Sequence, residues 1–320
     1  MKLLISLLML LPTVALAQWK PERPVELIVG AAPAGANDRI GRTLQRLMQE
    51  SKTHPTGTIN VVNKPGGGQA VAFAYLATHA NNPHYLGLAS SSWITTVSAG
   101  RGTLGPKDLT PIVKLIDEYQ VYFVRADSPI QTARDIVERL RKDPTSVTFG
   151  ISTSAGNPIH ISVAEIGRIA GADPTKMKVV VFNTGTDTAI QVAGGHLDVG
   201  VQSPGSAMQL IQSGKLRFLG VAGARRHGSA LANVPTMREQ GVDVIANVFY
   251  TVFGPRGMDA AQTAFWDAAL SNAMKSESVK KDLDFNYWSV DIIGHKELPA
   301  FLEREMASYR KSLMALGMAK

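Results

Sequence analysis

The sequence predicts an α/β protein of two domains, each built on a mostly parallel sheet with helices on both faces. Short apolar runs alternate with helical patterns from Val25 to the C-terminus, the pattern of strands covered by crossover helices. A length of 320 residues favours two cores of ordinary size over one. One further unit, a strand, a loop of small residues and a helix start, recurs along the chain.

The first such unit organises the rest. Val25 to Val29 reads as a buried strand, Ala31 to Asn37 is a loop with little side-chain bulk, and Asp38 is placed as the N-cap of a helix carrying Ile40, Leu44, Leu47 and Met48. A helix start has unsatisfied N–H groups and the positive end of the macrodipole, so the elbow suits an anion. These residues alone leave open both an ordinary strand-to-helix turn and an anion seat. Ile59 to Asn63 reads as a second strand. Lys64-Pro65-Gly66-Gly67-Gly68 is then a turn, since it lacks the Gly-Lys-Ser/Thr ending of a P-loop, and a helix runs from Ala70 to Thr78. Tyr85 to Ala89 reads as a third strand and ends in Ser90-Ser91-Ser92, either a solvated turn or hydroxyls at the carboxyl end of a sheet, where open α/β folds bind ligands.

Leu109 to Ile116 and Val121 to Val124 are further strands, and Asp127-Ser128-Pro129 is expected to open a helix through Ile130, Val137 and Leu140. The opening architecture then returns twice. Val147 to Gly150 leads through Ile151 to Asn157 into a helix from Ile159, and Val179 to Phe182 leads through Asn183 to Thr186 into a helix capped by Asp187. A strand at Leu197 to Val201, a helix at Ala207 to Ser213 and a strand at Arg217 to Ala222 follow. Thr236 to Glu239 spells a capping box. An aromatic strand at Asn247 to Phe253 precedes two amphipathic helices, Ala260 to Lys275 and about Glu297 to Leu316.

Composition narrows the chemistry. Hydrophobic residues make up 45% and charged residues 18% of the chain, as in a folded soluble protein. Met1-Lys2, the apolar run Leu3 to Leu11 and Ala15-Leu16-Ala17 read as a signal peptide spanning residues 1–17, too short and too interrupted by Pro12 to anchor the chain in a membrane. The chain has no Cys, which removes disulfides, thiol catalysis and zinc–thiolate sites. The net charge of +7, +6 without Lys2, is spread out. Arg225-Arg226 and Lys280-Lys281 are its longest runs, so nucleic acid is not an expected partner. The seven His include no His-x-x-x-His pair, and no metal is expected. Gly150-Ile151-Ser152-Thr153-Ser154 approaches a nucleophile elbow but ends in Ser where Gly is needed, and His160 follows too soon for an α/β-hydrolase. His160 itself is either a cleft donor or a helix-face histidine satisfied by neighbouring backbone.

The pieces together resemble the solute-binding proteins of tripartite tricarboxylate transporters, the Bug receptors. The resemblance rests on Trp19 to Val25, Pro33-Ala34-Gly35 with Asp38 and Arg42, and Asn63 to Gly68. It continues through Phe149-Gly150 with Ser154-Ala155-Gly156 and His160, Gly194 to Asp198, Ser213 to Arg217, and Val234-Pro235-Thr236 with Glu239 and Gly241. The first loop departs from the usual double glycine at Ala34, Phe249-Tyr250 stands where the family carries tryptophan, and Thr184 to Asp187 is a variant loop.

The resemblance implies a two-lobed periplasmic binding protein of type II, exported and cleaved after Ala17. Residues 18–121 plus 247–320 would form one lobe and 122–246 the other. The implied ligand is a small carboxylate held between the lobes, the implied partners are inner-membrane transporter subunits, and the receptor would act as a monomer without cofactor, metal or catalysis. A sensory co-receptor for the same acid is the alternative, and a serine hydrolase on Ser152 or Ser154 with His160 the remoter one. The expected ligand-binding residues are Pro33, Ala34, Gly35, Asn37, Asp38, Ser90, Ser91, Thr153, Ser154, Ala155, Gly156, Asn157, His160, Thr184, Gly185, Thr186 and Asp187.

Overall fold

A computed structural model describes residues 19–33, 35–51, 58–152, 154–228 and 231–319. The expected signal peptide and two expected site residues, Ala34 and Thr153, lie outside the described residues. Among the described residues, no helix is long and apolar enough to cross a membrane.

The chain builds two sheets. The first contains β1 (Val25–Val29), β2 (Ile59–Asn63), β3 (Tyr85–Ser90), β4 (Thr110–Tyr119), β10 (Asn247–Gly254) and β11 (Trp288–Gly294), in the order β11-β4-β10-β3-β1-β2. The second contains β5 (Val121–Arg125), β6 (Thr148–Ser152), β7 (Lys178–Phe182), β8 (Val199–Gln202) and β9 (Leu216–Val221), in the order β7-β6-β8-β5-β9. Both sheets are mixed. β1 runs parallel to β2 and β3, and β6 parallel to β7 and β8, but β10 lies antiparallel between β3 and β4, and β5 antiparallel between β8 and β9. The antiparallel insertions have one cause: β5 and β10 are the strands by which the chain enters one sheet from the other.

Helices cover both faces of each sheet. On the first, α1 (Ala36–Glu50) and α8 (Ala260–Ala273) close a core of Val25, Leu27, Leu44, Val252 and Trp266, while α2 (Ala70–Ala77), α3 (Ser91–Ser98) and α10 (Leu298–Ala315) close the other face over Phe73, Trp93 and Phe253. On the second, α4 (Ala133–Lys142) and α5 (Pro158–Ala170) pack over Tyr122, Phe149 and Val199, and α6 (Gly185–Ala193) and α7 (Pro204–Gln212) over Phe123, Ala189 and Leu216. The short α9 (Lys280–Asn286) precedes β11.

Strand sense decides where the loops go. β1 to β4 share one direction, so their carboxyl ends and the start of β10 lie on the same edge; β6 to β9 likewise end on the edge where β5 begins. The crossings leave from those edges. They are tied by three backbone bonds: Gln120 N–H donates to Ala246 O at 2.9 Å, Ala222 N–H to Gln120 O at 2.9 Å, and Ala246 N–H to Ala222 O at 2.8 Å. Both carboxyl edges therefore border the crossing.

Local starts and stops differ from the sequence expectation in identifiable ways. The helix expected from Ile130 begins at Ala133, capped by Thr132, whose Oγ1 accepts from Asp135 N–H while Asp135 Oδ2 accepts from Thr132 N–H. Ser128 instead closes a turn on Ile130 N–H at 3.2 Å. Ser90 to Ser92 is no turn, because β3 passes directly into α3. Thr236 and Glu239 do exchange capping-box bonds, but they close a turn and no helix follows.

Candidate functional site

On the first sheet three loops meet around one glutamine. The first elbow joins β1 to α1, and Gly35 is the N-cap in extended conformation (φ −69°, ψ 169°), with no side-chain cap. Asp38, expected as that cap, lies one turn further in and is buried. Its Oδ2 accepts from Arg42 Nε at 2.9 Å and its Oδ1 from Asn63 Nδ2 at 2.9 Å. Asn63 Nδ2 also donates to Ala31 O at 3.0 Å, so the carboxylate fastens the elbow to β2 and favours the helix start through its dipole.

The second loop, after β2, turns through Gly66, Gly67 and Gly68 at φ 126°, 57° and 59° and reaches Gln69 at φ 79°. Glycine reaches this region freely; for glutamine it costs about 1–2 kcal/mol. Hydrogen bonds offset that cost. Gln69 is buried, its Oε1 accepts from Ser90 N–H and from Asn37 Nδ2, both at 3.1 Å, and its Nε2 donates to Ser90 Oγ at 2.6 Å. Ser90, at the N-cap of α3, consequently gives that helix no side-chain cap. Ser91 follows as the first helical residue and is fully buried.

The second sheet is assembled around another glutamine. Gln202, the last residue of β8, accepts from Ser152 Oγ at 2.8 Å and donates to Thr188 Oγ1 at 3.1 Å. Asn157 caps α5, its Oδ1 accepting from His160 N–H at 2.9 Å and its Nδ2 donating to Ser152 O at 2.8 Å. Thr184, not Asp187 as expected, caps α6. Thr184 Oγ1 accepts from Asp187 N–H at 3.1 Å, and Asp187 Oδ2 accepts from Thr184 N–H at 3.2 Å, so Asp187 is the third-position partner of a capping box.

His160 settles on its own loop. Gly156 N–H donates to its Nδ1 at 2.9 Å, and burial pushes its imidazole below the ordinary histidine value. At Nδ1 the ring thus takes the backbone-satisfied arrangement of the two that the sequence leaves open. Neither Ser152 nor Ser154 bonds to it, and Ser152 Oγ is directed to Gln202, so the serine–histidine pair of the hydrolase alternative does not form. Gly156 is itself buried, at φ 81°; a Cβ there would sit 3.1 Å from Leu313 Cδ2 and 3.3 Å from Met318 Sδ, beside the end of α10. Ser154, Ala155, Thr184, Thr186 and Pro33 are exposed, and Gly35, Asn37, Gly185 and Asp187 partly so.

The structure thus gathers Gly35, Asn37 and Ser90 with Gln69 on one carboxyl edge, and Ser154 to Asn157, His160 and Thr184 to Asp187 with Gln202 on the other. Asp38 and Asp187, the two carboxylates of the expected set, are both engaged in holding helix starts. A groove of about 660 Å³ beside the crossing, between α5 and α10, contains none of the expected residues. Gln69, Gln202 and Asn63 escaped sequence reasoning. Position was their only signal: Gln69 follows a glycine run, Asn63 ends the half-buried β2, and Gln202 ends the buried β8.

Two sheets joined by a double crossing, with helix starts gathered on the edges that border it, define the class: a two-lobed binding protein. Residues 40–307 match the family model described as tripartite tricarboxylate transporter family receptor, and the chain belongs to that family of solute receptors. Protein BugT of Bordetella pertussis is 24% identical over 264 residues, covering 81% of this chain and 78% of its own. A TctC solute-binding protein from Polaromonas, solved without ligand, is similar at TM-score 0.77 and 23% identity over 92% of this chain and 98% of its own. R. palustris Rpa4515, solved with adipate, is similar at TM-score 0.78 and 19% identity over 93% and 99%.

Proposed function

We propose that this chain is an extracytoplasmic receptor that takes a small organic carboxylate into the cleft between its lobes and delivers it to the membrane subunits of a tripartite tricarboxylate-type transporter. In this reading the chain is exported to the periplasm, and residues 18–121 with 247–320 act as one lobe and 122–246 as the other. The observation that carries it is the pair of uncapped helix starts on one carboxyl edge: α1 behind Gly35 and α3 behind Ser90. Both present backbone N–H groups at a positive dipole end with no side-chain cap; α3 has no acidic residue in its first turn, and at α1 the first-turn carboxylate, Asp38, is bonded to Arg42 and Asn63. Backbone donors of this kind hold a carboxylate without a buried counter-charge, and closing the lobes over it excludes water and strengthens each bond. The adipate in Rpa4515 supports a dicarboxylate as the first class to try.

The test is a thermal-shift screen of the mature protein against mono-, di- and tricarboxylates. A true ligand at 100 times its Kd adds about 2.7 kcal/mol, which is roughly 4–8 °C in Tm for a chain of this size. A protein unmoved by every carboxylate, yet moved by a cation or a neutral sugar, is not this receptor.

A further inference from the structure

The end of α10 folds back on itself. Gly317 takes the left-handed conformation at φ 65°, its N–H donates to Met314 O at 3.0 Å, and Met318 N–H donates to Leu313 O at 2.8 Å. These are the two bonds of a Schellman turn, which lays the residue after the glycine against the last full turn of the helix. Met318 is thereby brought onto Leu313, and the apolar pair meets the other sheet. A Cβ at Gly156 would lie 3.1 Å from Leu313 Cδ2 and 3.3 Å from Met318 Sδ. Gly156 is buried, at φ 81°, and its N–H is already given to His160 Nδ1 at 2.9 Å. Its bare Cα therefore serves the contact with α10; its N–H is not held out to a ligand. Ile161 of α5 also packs on the apolar cluster that holds Leu313. Alongside, a groove of about 660 Å³ lies between the two helices, with Glu165 and Arg168 on one wall and Glu305 and Ser308 on the other. α5 leans on α10 at its start and does not close on it along its length.

We infer that the Leu313–Met318 pair of the first lobe positions the Ser154 to Asn157 loop of the second, so that the turn at the end of α10 sets how tightly the receptor holds its carboxylate. The inference rests on the receptor reading above and adds to it a control of affinity from residues that touch no ligand. Packed neighbours cannot part without leaving a void. If Met318 withdraws, Gly156 loses the surface that fixes it, and the exposed Ser154 and Ala155 beside it lose their placement. The same contact carries movement the other way: a shift of one lobe against the other presses on the loop through α10. Leu313 and Met318 are here positioning residues, acting through Gly156.

Calorimetry on the full mature protein with succinate, adipate, citrate and benzoate reads the affinity, and amide hydrogen exchange over residues 154–160 reads the loop. Gly317→Val opposes the left-handed turn, while its side chain meets open space, since nothing lies within 4 Å of a Cβ there. Met318→Ala removes the contact directly. Both should raise the Kd of the acid that binds the wild type about 3- to 10-fold, within the range that packed residues remote from a ligand exert. Both should also speed exchange at the Gly156 and His160 amides. Gly317→Asn accepts the left-handed region and should bind as the wild type does. So should Met314→Ala, in the same last turn of α10 but 54% exposed. A role in stability alone would lower Tm in Gly317→Val and Met318→Ala and leave Kd where it is. An unchanged Kd in both, or an equal loss in Gly317→Asn, overturns the inference while leaving a carboxylate receptor. A wild type that binds none of the four acids overturns the receptor reading and the inference with it.

Discussion

Lys114 offers the sharpest test of how the first lobe is held beside the crossing. It lies on β4, its side chain is 1% exposed, and its ammonium sits 2.9 Å from Asp117 Oδ1 and 2.5 Å from Asp291 Oδ2 on β11. Asp117 is 7% exposed and also accepts from Asn247 Nδ2 at 2.9 Å, at the start of the returning strand. Asp291 is half exposed, so solvent screens its share of the interaction. Lys114→Met keeps the length of the side chain and removes its charge, leaving Asp117 as a buried carboxylate with one neutral donor. Breaking a buried pair this way costs about 3–5 kcal/mol, and the lower end is expected here because Asn247 remains. Urea unfolding at pH 7.5 reads the loss. Burial already pushes the Asp117 carboxyl above its ordinary value, with the Lys114 charge opposing it. A raised carboxyl contributes stability that is full below its unfolded value near 3.8 and is lost as pH rises through the folded one. Removing the cation raises the folded value further, so the deficit of Lys114→Met should shrink between pH 7.5 and pH 5. The double variant Lys114→Met with Asp117→Leu should recover most of the loss, because the uncompensated charge is gone. A deficit below about 1 kcal/mol, or one that does not change with pH, would refute the reasoning.

Two further predictions concern the elbows. Gly35→Val meets no forbidden backbone, and its Cβ would lie 3.2 Å from Ala32 O; it should weaken carboxylate binding in calorimetry by covering the helix start, with Tm little changed. Gly156→Val is different, because φ 81° and the contacts with Leu313 and Met318 make it cost stability as well, about 1–2 kcal/mol for the backbone alone; an unchanged Tm would show that the loop and α10 are not packed as described. His160 holds a lowered imidazole through burial, so its contribution to stability is present above about pH 6.5 and is lost as pH falls through the folded value. His160→Asn keeps an acceptor for Gly156 N–H and removes the titration, so its Tm should fall less than that of the wild type between pH 7.5 and pH 5, a comparison that differential scanning calorimetry makes directly.

Where the sequence was legible, the signal was local. Val25 to Val29, Ile59 to Asn63 and Tyr85 to Ala89 announce themselves as apolar runs between turn residues, and each forms a strand that starts and stops within a residue of expectation. β11 was missed because its partner is distant. Trp288–Gly294 carries Asp291 in its middle, an unlikely strand residue until Lys114, on a strand far earlier in the chain, supplies the counter-charge. The same pair explains why β4 runs on to Tyr119 through Lys114, Asp117 and Glu118, past Ile116 where the apolar run stops. Charges inside a sheet are readable only once the pairing is known.

The helix starts teach the complementary lesson. Sequence reasoning looks for Ser, Thr, Asp or Asn before a helix, and by that rule Asn157 and Thr184 mark strong starts. They are strong because their side chains already occupy a backbone N–H of the first turn, at His160 and Asp187. A helix start free to take an external anion is one where that signal is missing or diverted. Gly35 has no side chain to give, and the Ser90 hydroxyl is drawn away by Gln69. The three elbows singled out in the sequence were therefore unequal. The first has no side-chain cap and carries its carboxylate, Asp38, in the first turn, while the two on the second sheet bond a first-turn N–H internally. The uncapped neighbour of the first is Ser90, whose hydroxyl is held by a glutamine 21 residues away.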